Sequence, residues 1–343
     1  MKTPTQAEAT IRSVAEAAGV STATVSRYIN KSGYVDEKTG NRIKQAIKET
    51  DYTPSIVARS MRSRNSKIVL LIVPDIENPF YSKMAKTAQE LVQGHGYVMT
   101  LIDTKESVED KSAILLAKQM YASGIIFASI NISDEINRFL ARSSIPTVAL
   151  NAYGDNPQFD TVHVKGYMGT YIATKHLLEI GHTRIFFAGG VPGSMIGKSR
   201  REGYERAISE QGFESDPAGI FEQGFSQQDG YDMGNAILGA KRLPTAICCA
   251  NDQIAFGVIR ALCENGTSIP GDVSITGMDD IPYASLAYPS LTTITNDSAM
   301  FTREGVRMLF ERIEGSYKGQ PREVIMQHDL IVRNSTASPH RII

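Results

Sequence analysis

The chain has 343 residues, of which 42% are hydrophobic and 21% are charged, and its formal net charge is −1. This composition is typical of a globular protein with two or three domains. No apolar run approaches the ~20 residues that a membrane-spanning helix needs, and residues 1–9 contain no apolar stretch of a secretory signal. These features exclude a membrane-embedded protein and predict a cytoplasmic one without a membrane partner.

The charge is unevenly distributed along the chain. Residues 1–67 carry a formal charge of +6 and the remainder carries −7. A basic N-terminal segment on an acidic body points to a polyanionic partner for that segment, although a solvated lysine-rich face would give the same count. Three cysteines, Cys248, Cys249 and Cys263, lack the spacing of a metal or redox pair, and we expect no metal and no cofactor.

The basic segment is predicted to form three short helices. Apolar residues recur at helical spacing from Ile11 to Ala18, and Gly19 follows where a tight interhelical turn needs a positive φ. Ser21 is a good N-cap for a second helix that runs to about Ile29. Asp36 is the predicted cap of a third helix that ends near Thr50.

The second helix has two different faces. At about 100° per residue, Ser21, Val25 and Tyr28 share the side that packs against the first helix. The opposite side holds small, polar or cationic residues, as in a recognition helix that offers side chains to the major groove. Arg27 is suited to a bidentate contact with guanine. A generic helical hairpin is the alternative that periodicity alone leaves open.

From Lys67 onward, apolar runs of strand length alternate with helical patterns. The predicted helices are 80–93, 107–121, 134–142, 168–180, 197–211, 228–239, 253–264 and 299–314, and the predicted strands are 68–73, 97–102, 124–129, 146–150, 161–164, 184–188, 219–223, 246–250, 273–277 and one near 323–332. Alternation of this kind predicts doubly wound parallel sheets. About 275 residues exceed one such sheet, so we expect two α/β subdomains with a ligand cleft between them.

Residues 190–199 resemble a phosphate-binding loop but fail its spacing. The motif needs four residues between its first glycine and Gly-Lys, and the required position is Pro192. The sequence also lacks HExxH, GxSxG and GxGxxG motifs. We therefore predict that the chain is not an enzyme and has no catalytic residues.

Residues 10–64 closely resemble the DNA-binding head of the LacI-type (lactose/galactose/purine repressor) family of bacterial transcriptional regulators. The resemblance rests on the segment from Val14 to Arg27 (VAEAAGVSTATVSR), on Tyr52-Thr-Pro54 and on Ala58-Arg-Ser60. It continues in order through the body, and these further matches are Asn78-Pro-Phe80, Gly181-His182, Arg200, Gly203-Tyr204, Asn251-Asp-Gln253, Gly277-Met-Asp-Asp280, Leu291-Thr-Thr293 and Leu330-Ile-Val-Arg333. It implies a cytoplasmic regulator that senses a sugar or a nucleobase in a core like a periplasmic binding protein.

The resemblance also implies the domain layout. We expect a helix-turn-helix DNA-binding head over 1–54, a hinge over 55–66 and an effector-binding and dimerisation core over 67–343. The expected subdomains of the core are 67–161 with 292–320, and 162–291 with 321–336. The segment after Arg333 has no heptads, so a homodimer on a pseudo-palindromic operator is expected rather than a coiled-coil tetramer.

The hinge sequence from Pro54 to Met61 has room for about two helical turns, which are marginal alone in water. We expect it to order against its partner or DNA, with an exposed flexible linker as the alternative. Family hinges enter the minor groove, with leucine and asparagine where this chain has Met61 and Ser55. The residues predicted to contact DNA are Ser21, Thr22, Ala23, Thr24, Ser26, Arg27 and Asn30 in the head and Ser55, Ala58, Arg59, Met61 and Arg62 in the hinge.

The effector contacts implied by the resemblance lie on loops at strand ends. They are Phe80, Tyr81, Lys165, Ser194, Arg200, Phe225, Asn251 and Asp279. Aromatic rings suit sugar or base faces, and Arg, Asn and Asp suit hydroxyls and ring nitrogens. Lys165 stands where the family commonly has aspartate, which leaves an anionic effector open beside the neutral carbohydrate that we favour. Arg200 and Asp279 pairing with each other, and Phe225 serving only as core, are further alternatives.

The favoured function is therefore a sequence-specific transcriptional regulator, expected to be a repressor, whose operator affinity is controlled by a small molecule. A periplasmic-type sugar-binding protein would explain the body but not the basic head. A P-loop-like nucleotide-binding enzyme is disfavoured by the failed spacing of residues 190–199.

Overall fold

The computed structural model describes residues 9–30, 32–53, 66–104, 111–128, 134–151 and 158–339. Contacts divide the chain between Ser66 and Lys67 into two units, the head and the core. The predicted hinge helix lies outside the described residues. In the part of the chain that the structure describes, no helix is long and apolar enough to cross a membrane.

The described part of the head, residues 9–30 and 32–53, contains three helices, namely α1 (Ile11–Ala18), α2 (Thr22–Asn30) and α3 (Glu37–Glu49). The side chain of Thr10 caps α1 and that of Asp36 caps α3, where its Oδ1 accepts from the Thr39 N–H at 2.9 Å. Gly19 ends α1 with the predicted left-handed φ of +60°. The turn therefore forms at the residue that the sequence indicates.

One buried cluster holds these helices together. Its members are Val14, Ala15, Ala18, Val25, Ile43 and Ala46, with Tyr28 partly buried against them. Val14, Val25 and Ile43, one from each helix, are completely shielded from solvent. The apolar side of α2 therefore packs inward, as predicted, and leaves the opposite side of this helix exposed.

The core contains two six-stranded sheets with helices on their faces. Its strands are β1 (Ile68–Val73), β2 (Val98–Asp103), β3 (Gly124–Ala128), β4 (Thr147–Leu150), β5 (Asp160–Val164), β6 (Ile185–Ala188), β7 (Ile220–Phe221), β8 (Ala246–Cys249), β9 (Ser274–Asp279), β10 (Thr292–Thr295), β11 (Glu323–Met326) and β12 (Leu330–Ile331). Its helices are α4 (Pro79–Gly94), α5 (Lys111–Gln119), α6 (Asp134–Ser143), α7 (Gly166–Glu179), α8 (Met195–Glu210), α9 (Gln227–Leu238), α10 (Asp252–Glu264), α11 (Tyr283–Leu286) and α12 (Ser298–Ile313).

The first sheet has the order β11-β5-β4-β3-β1-β2, and all of its neighbouring strands are parallel. Alternate residues of β1 pack on opposite faces. Val69, Leu71 and Val73 belong to the cluster that includes α4 and α12. Leu70 and Ile72 belong to the cluster that includes α5 and α6. Burial on both faces explains why this strand is a continuous apolar run.

The second sheet has the order β12-β10-β9-β8-β6-β7. Its strands are parallel except for β12, which pairs antiparallel with β10 through Thr293 and Ile331. The fold class predicted from the sequence, a helical head plus two parallel-sheet α/β subdomains, is therefore confirmed.

The chain crosses between the two sheets at points that differ from those expected. β5 and β11 belong to the first sheet, whereas β10 and β12 belong to the second. The expected assignments of 162–164 and 323–326 to the second subdomain, and of 292–295 to the first, are therefore wrong. The run predicted as one strand near 323–332 is two strands, because residues 327–329 carry the chain from one sheet to the other.

The chain leaves the second sheet after Thr295, at the end of β10, and returns to it through residues 327–329. These two crossing segments lie side by side. The Thr295 N–H donates to the Asp329 carbonyl at 2.8 Å, and the Asp329 N–H donates to Thr295 Oγ1 at 2.8 Å. His328 Nδ1 lies 2.7 Å from the Thr295 carbonyl. The strand β10 escapes hydropathy analysis because it is threonine-rich, and its buried hydroxyls are hydrogen-bonded, as Thr293 is to Asp252 at 2.5 Å.

A buried carboxylate joins the edge of the first sheet to its covering helix. Asp160 on β5 has no solvent exposure and accepts hydrogen bonds from Arg312 on α12 at 2.7 and 2.8 Å. It also accepts from the backbone N–H and the guanidinium of Arg322, both at 2.8 Å. Burial alone would raise the pKa of Asp160, but the hydrogen bonds from Arg312 and Arg322 outweigh it and lower the pKa.

We expect Asp160→Asn to lower the free energy of unfolding by about 3–5 kcal/mol at neutral pH, because it leaves two half-buried guanidinium groups without their anion. Since the folded-state pKa is depressed, this stabilisation is present above the unfolded pKa and is lost as the pH falls through the folded value. Urea titrations at several pH values should show the gap between the two proteins narrowing below about pH 4.

A matched control is Glu304→Gln, which removes a partner of the half-exposed Arg307 on the same helix. We expect this change to cost less than about 1 kcal/mol. Equal losses for the two variants would contradict the role assigned to Asp160.

Candidate DNA-reading helix and effector cleft

Ser21 caps the first turn of α2. Ser21 Oγ accepts from the Thr24 N–H at 3.1 Å and lies 2.9 Å from Thr24 Oγ1. Ser21 was predicted to pack against α1, but it is exposed, because its hydroxyl caps the helix instead. The buried Val25 fixes the rotation of α2 and turns its polar side outward.

All seven DNA-contact residues predicted in the head lie on or next to this helix. Ser21, Thr22, Ala23, Arg27 and Asn30 are exposed, and Thr24 and Ser26 are half-buried. The Asn30 amide donates to Ser26 Oγ at 3.1 Å, one turn earlier. The side chains therefore form one contiguous surface, while their contact with DNA stays a prediction.

The other five predicted DNA contacts lie outside the described residues. They are Ser55, Ala58, Arg59, Met61 and Arg62.

Within the core, a cleft opens where the two sheets present the carboxyl ends of their strands. Its empty volume is about 440 Å³, including the part open to solvent. Its lining residues are Pro74, Asp75, Asn78, Phe80, Tyr81, Asn151, Ile196, Arg200, Phe225, Asn251 and Asp279. Ligands of open α/β sheets bind at this end of the strands.

Two aromatic residues line the cleft from the first subdomain. Asn78 caps α4 by accepting from the Phe80 N–H at 3.0 Å, and Pro79 occupies the first turn of the helix. The rings of Phe80 and Tyr81 then meet edge to face, with their centroids 5.1 Å apart. The cap therefore places two rings at the entrance of α4, where they flank the cleft.

The second subdomain contributes a buried ion pair. Arg200 Nη2 lies 3.8 Å from Asp279 Oδ1, and both side chains are almost fully buried. Arg200 Nη1 donates to the Ala250 carbonyl at 2.6 Å, and its guanidinium lies 5.6 Å from the centre of the Phe225 ring. Among the described residues, the buried Arg200 Nε has no hydrogen-bond partner, which is compatible with a contact to a ligand or a water. The predicted pairing of Arg200 with Asp279 is therefore real, and both residues still line the cleft.

The last residue of β9 is Asp279, and its backbone is unusual. Its φ is +116°, a conformation that side-chain-bearing residues rarely adopt. Burial raises the pKa of Asp279, while Arg200 and the Asn296 amide, which donates at 2.9 Å, act in the opposite direction. A strained, buried carboxylate at a strand end is typical of a functional position.

Asn251 has a largely structural role. Its Oδ1 accepts from the Ile254 N–H at 2.8 Å and so caps α10, and its Nδ2 donates to the Phe225 carbonyl at 2.9 Å. The amide therefore positions Phe225, which belongs to the buried cluster of the second subdomain and also lines the cleft. Phe225 therefore belongs to the core and also lines the cleft, so the alternative that it serves only as core does not hold.

Two of the eight predicted effector residues do not line the cleft. Lys165 is exposed at the start of α7. Ser194 caps α8, where its Oγ accepts from the Gly197 N–H at 3.1 Å and donates to the Val191 carbonyl at 2.8 Å. The helix end that resembles a phosphate loop is thus occupied by its own cap, and no group of potential metal ligands occurs among the described residues.

Five lining residues were not predicted as effector contacts. They are Pro74, Asp75, Asn78, Asn151 and Ile196. Pro74 and Asp75 follow β1 directly, and Asn151 follows β4. The carboxyl ends of the predicted strands were the signal that could have found these three.

Comparisons with known proteins agree with this architecture. The family described as "Bacterial regulatory proteins, lacI family" matches residues 10–55, and the "Periplasmic binding protein-like domain" matches residues 174–336. The "HTH-type transcriptional repressor PurR" of Haemophilus influenzae (strain PittEE) is 35% identical over 334 residues, which cover 96% of this chain and 99% of that protein.

Two solved structures are similar over nearly the whole chain. A lac repressor dimer bound to operator and the anti-inducer ONPF has a TM-score of 0.83 at 25% identity, covering 96% of this chain and 99% of that one. A complex of the transcriptional regulator CelR with cellobiose has a TM-score of 0.71 at 27% identity, covering 95% and 99%.

A helix-turn-helix head followed by a core of two parallel-sheet subdomains defines a class of DNA-binding transcriptional regulators. The chain belongs to the lacI family of bacterial regulatory proteins. It is a transcriptional repressor of the LacI type.

A substitution of Ser194 tests whether this residue caps α8 or binds the ligand. We expect Ser194→Ala to lower the free energy of unfolding by about 1 kcal/mol, because α8 loses its cap. Since Ser194 does not line the cleft, ligand affinity measured by titration calorimetry should be unchanged. A large loss of ligand affinity with unaltered stability would contradict this assignment.

Proposed function

We propose that this repressor binds a carbohydrate or a carbohydrate derivative in the cleft, and that occupancy of the cleft sets its affinity for the operator. The observation that carries the proposal is the buried Arg200–Asp279 pair, which shares one cleft with the rings of Phe80, Tyr81 and Phe225. Aromatic faces pack against the C–H faces of a sugar, while carboxylate and guanidinium groups bind its hydroxyls. The similarity to a regulator solved with cellobiose supports the same class of ligand.

A nucleobase is the second candidate. Three aromatic rings offer stacking surfaces for a planar ligand, and the guanidinium of Arg200 suits a ring carbonyl or nitrogen. The family includes purine repressors as well as sugar-responsive ones. The two classes are distinguished by direct binding.

In our proposal the protein acts in the cytoplasm as a homodimer, in which two copies of α2 bind the half-sites of a pseudo-palindromic operator. One recognition helix contacts too few base pairs to specify a site, and two-fold symmetry doubles the contacts. The exposed polar surface of α2 and the charge of +6 over residues 1–67 support this arrangement. Residues 55–62 would add minor-groove contacts, with Met61 as the wedge.

We expect Arg27→Ala to reduce discrimination between the operator and random DNA by about 1–3 kcal/mol, because the guanidinium contacts a base edge. The operator is first obtained by selection from random duplexes, and affinities are then measured by fluorescence anisotropy. Arg62→Ala is the contrasting variant, which should weaken all DNA about equally and reduce the salt slope by about one. Equal effects of both variants on both DNAs would contradict the assigned roles.

Arg200→Ala should abolish the effect of the ligand on DNA binding while leaving ligand-free operator affinity nearly unchanged, because the guanidinium lies in the cleft of the core. The matched control is Arg201→Ala. Arg201 is the next residue of α8, is ion-paired with Glu205 and Glu222, and does not line the cleft. A control variant that loses the ligand response as fully as Arg200→Ala would refute the assignment.

Thermal-shift measurements with neutral sugars, sugar phosphates, sugar acids and free purine bases should identify the ligand class. We expect a neutral sugar to stabilise the core and Lys165→Ala to leave its affinity unchanged, since Lys165 is exposed outside the cleft lining. If an anionic sugar binds instead and this substitution weakens it, the anionic alternative is correct. Stabilisation by purine bases alone would favour the nucleobase.

A further inference from the structure

Three residues after the end of α2 comes Gly33, a glycine that accommodates the stem of Arg27. A Cβ atom built on Gly33 would lie 2.9 Å from Arg27 Cδ and 3.2 Å from Arg27 Cγ. Cβ contacts below 3.0 Å essentially never occur, so any larger residue at position 33 would displace the arginine stem. The side chain of Arg27 therefore lies directly against the backbone of Gly33.

The loop reaches this position because it folds back on the helix end. The Ser32 N–H donates to the Arg27 carbonyl at 3.2 Å, which brings the next residue beside the Arg27 side chain. Gly33 does not have a left-handed φ, so its backbone conformation is open to any residue. Space beside Arg27, and not backbone freedom, is what requires glycine here.

Packing of the stem matters because an exposed arginine is otherwise free to adopt many rotamers. Arg27 is exposed, and within the described part of the head no ion pair holds its guanidinium. A bidentate contact with a base edge needs the planar guanidinium in one orientation. A stem that is already ordered against Gly33 loses less conformational entropy when this contact forms.

We propose that Gly33 is a specificity-determining positioning residue, which orients the Arg27 guanidinium for the base edge. The proposal rests on the base-contacting role of Arg27 in the proposed function. Gly33 itself touches no base. It acts through Arg27 alone, and its effect disappears when Arg27 is removed.

A second glycine provides a contrast within the same head. A Cβ on Gly40 of α3 would lie 3.1 Å from Tyr28 Cε2, and Tyr28 is partly buried against the head cluster. Gly40 therefore makes room for a side chain that packs α2 against the head cluster, whereas Gly33 contacts one exposed side chain. Substitution of Gly40 should alter stability and the binding of all DNA together.

The test is a double-mutant cycle in the full chain. Gly33→Ala, and Gly33→Val as a larger replacement, are made with Arg27 present and with Arg27→Ala. The measured quantity is the ratio of dissociation constants for the selected operator and for random DNA. Thermal unfolding by circular dichroism checks that the Gly33 variants remain folded, and Gly40→Ala is the control.

With Arg27 present, we expect Gly33→Ala to reduce discrimination by at least about threefold, and Gly33→Val by more. In the Arg27→Ala background the same changes should alter the ratio by less than about twofold. The melting temperature should not fall for Gly33→Ala, because alanine adopts the same backbone conformation. Gly40→Ala should change both dissociation constants by a similar factor.

Each contrary result has a definite meaning. If the Gly33 variants reduce discrimination equally in both backgrounds, or not at all while Arg27→Ala does, the positioning role of Gly33 is wrong and the proposed function stands. If Arg27→Ala itself preserves discrimination, the base-contacting role of Arg27 fails, and the role of Gly33 fails with it.

Discussion

The central constraint on the core is the buried carboxylate of Asp279, which needs partners that stabilise its charge. Burial raises its pKa, while Arg200 and the Asn296 amide act in the opposite direction. Arg200 belongs to α8 of the second subdomain, whereas Asn296 lies in the segment that carries the chain from β10 to α12. One carboxylate thus joins the cleft to a crossing between the subdomains.

In our proposal a ligand occupies the cleft, and this arrangement gives it a route to the segments that join the two subdomains. A ligand that binds Asp279 competes with, or adds to, the hydrogen bond from Asn296. Next to Asn296, the hydrogen bonds between Thr295 and Asp329 join the segment after β10 to the segment at 327–329. Asp279 is therefore hydrogen-bonded to Asn296, and Thr295, the residue before Asn296, is hydrogen-bonded to Asp329 in the other crossing segment.

Sequence patterns were sufficient to predict the structure wherever a single local interaction determines it. The caps at Ser21 and Asp36, the turn at Gly19 and the apolar run of β1 lie where the sequence predicts them. Patterns failed where long-range pairing decides. The short strand β10 is hidden by threonines whose hydroxyls are hydrogen-bonded only in the folded core, and nothing local marks the crossing at 327–329.

The cleft shows the same division. Six of its lining residues were predicted, because family motifs mark the loops at strand ends. Ser194 was predicted from the same resemblance and nevertheless caps a helix, a role that depends on which backbone N–H its hydroxyl meets. Asn151 was missed although it directly follows the predicted strand 146–150, because it lies in none of the motifs that carry the family resemblance.

The order of strands also determines when each part of the molecule is completed during synthesis. The head consists of contacts within residues 10–52 and can fold as soon as it emerges from the ribosome. Neither sheet of the core can do so, because β11 closes the edge of the first sheet and β12 the edge of the second. Both sheets are completed only by residues 323–331, so a nascent chain displays a folded head long before it has the complete cleft that we propose to control DNA binding.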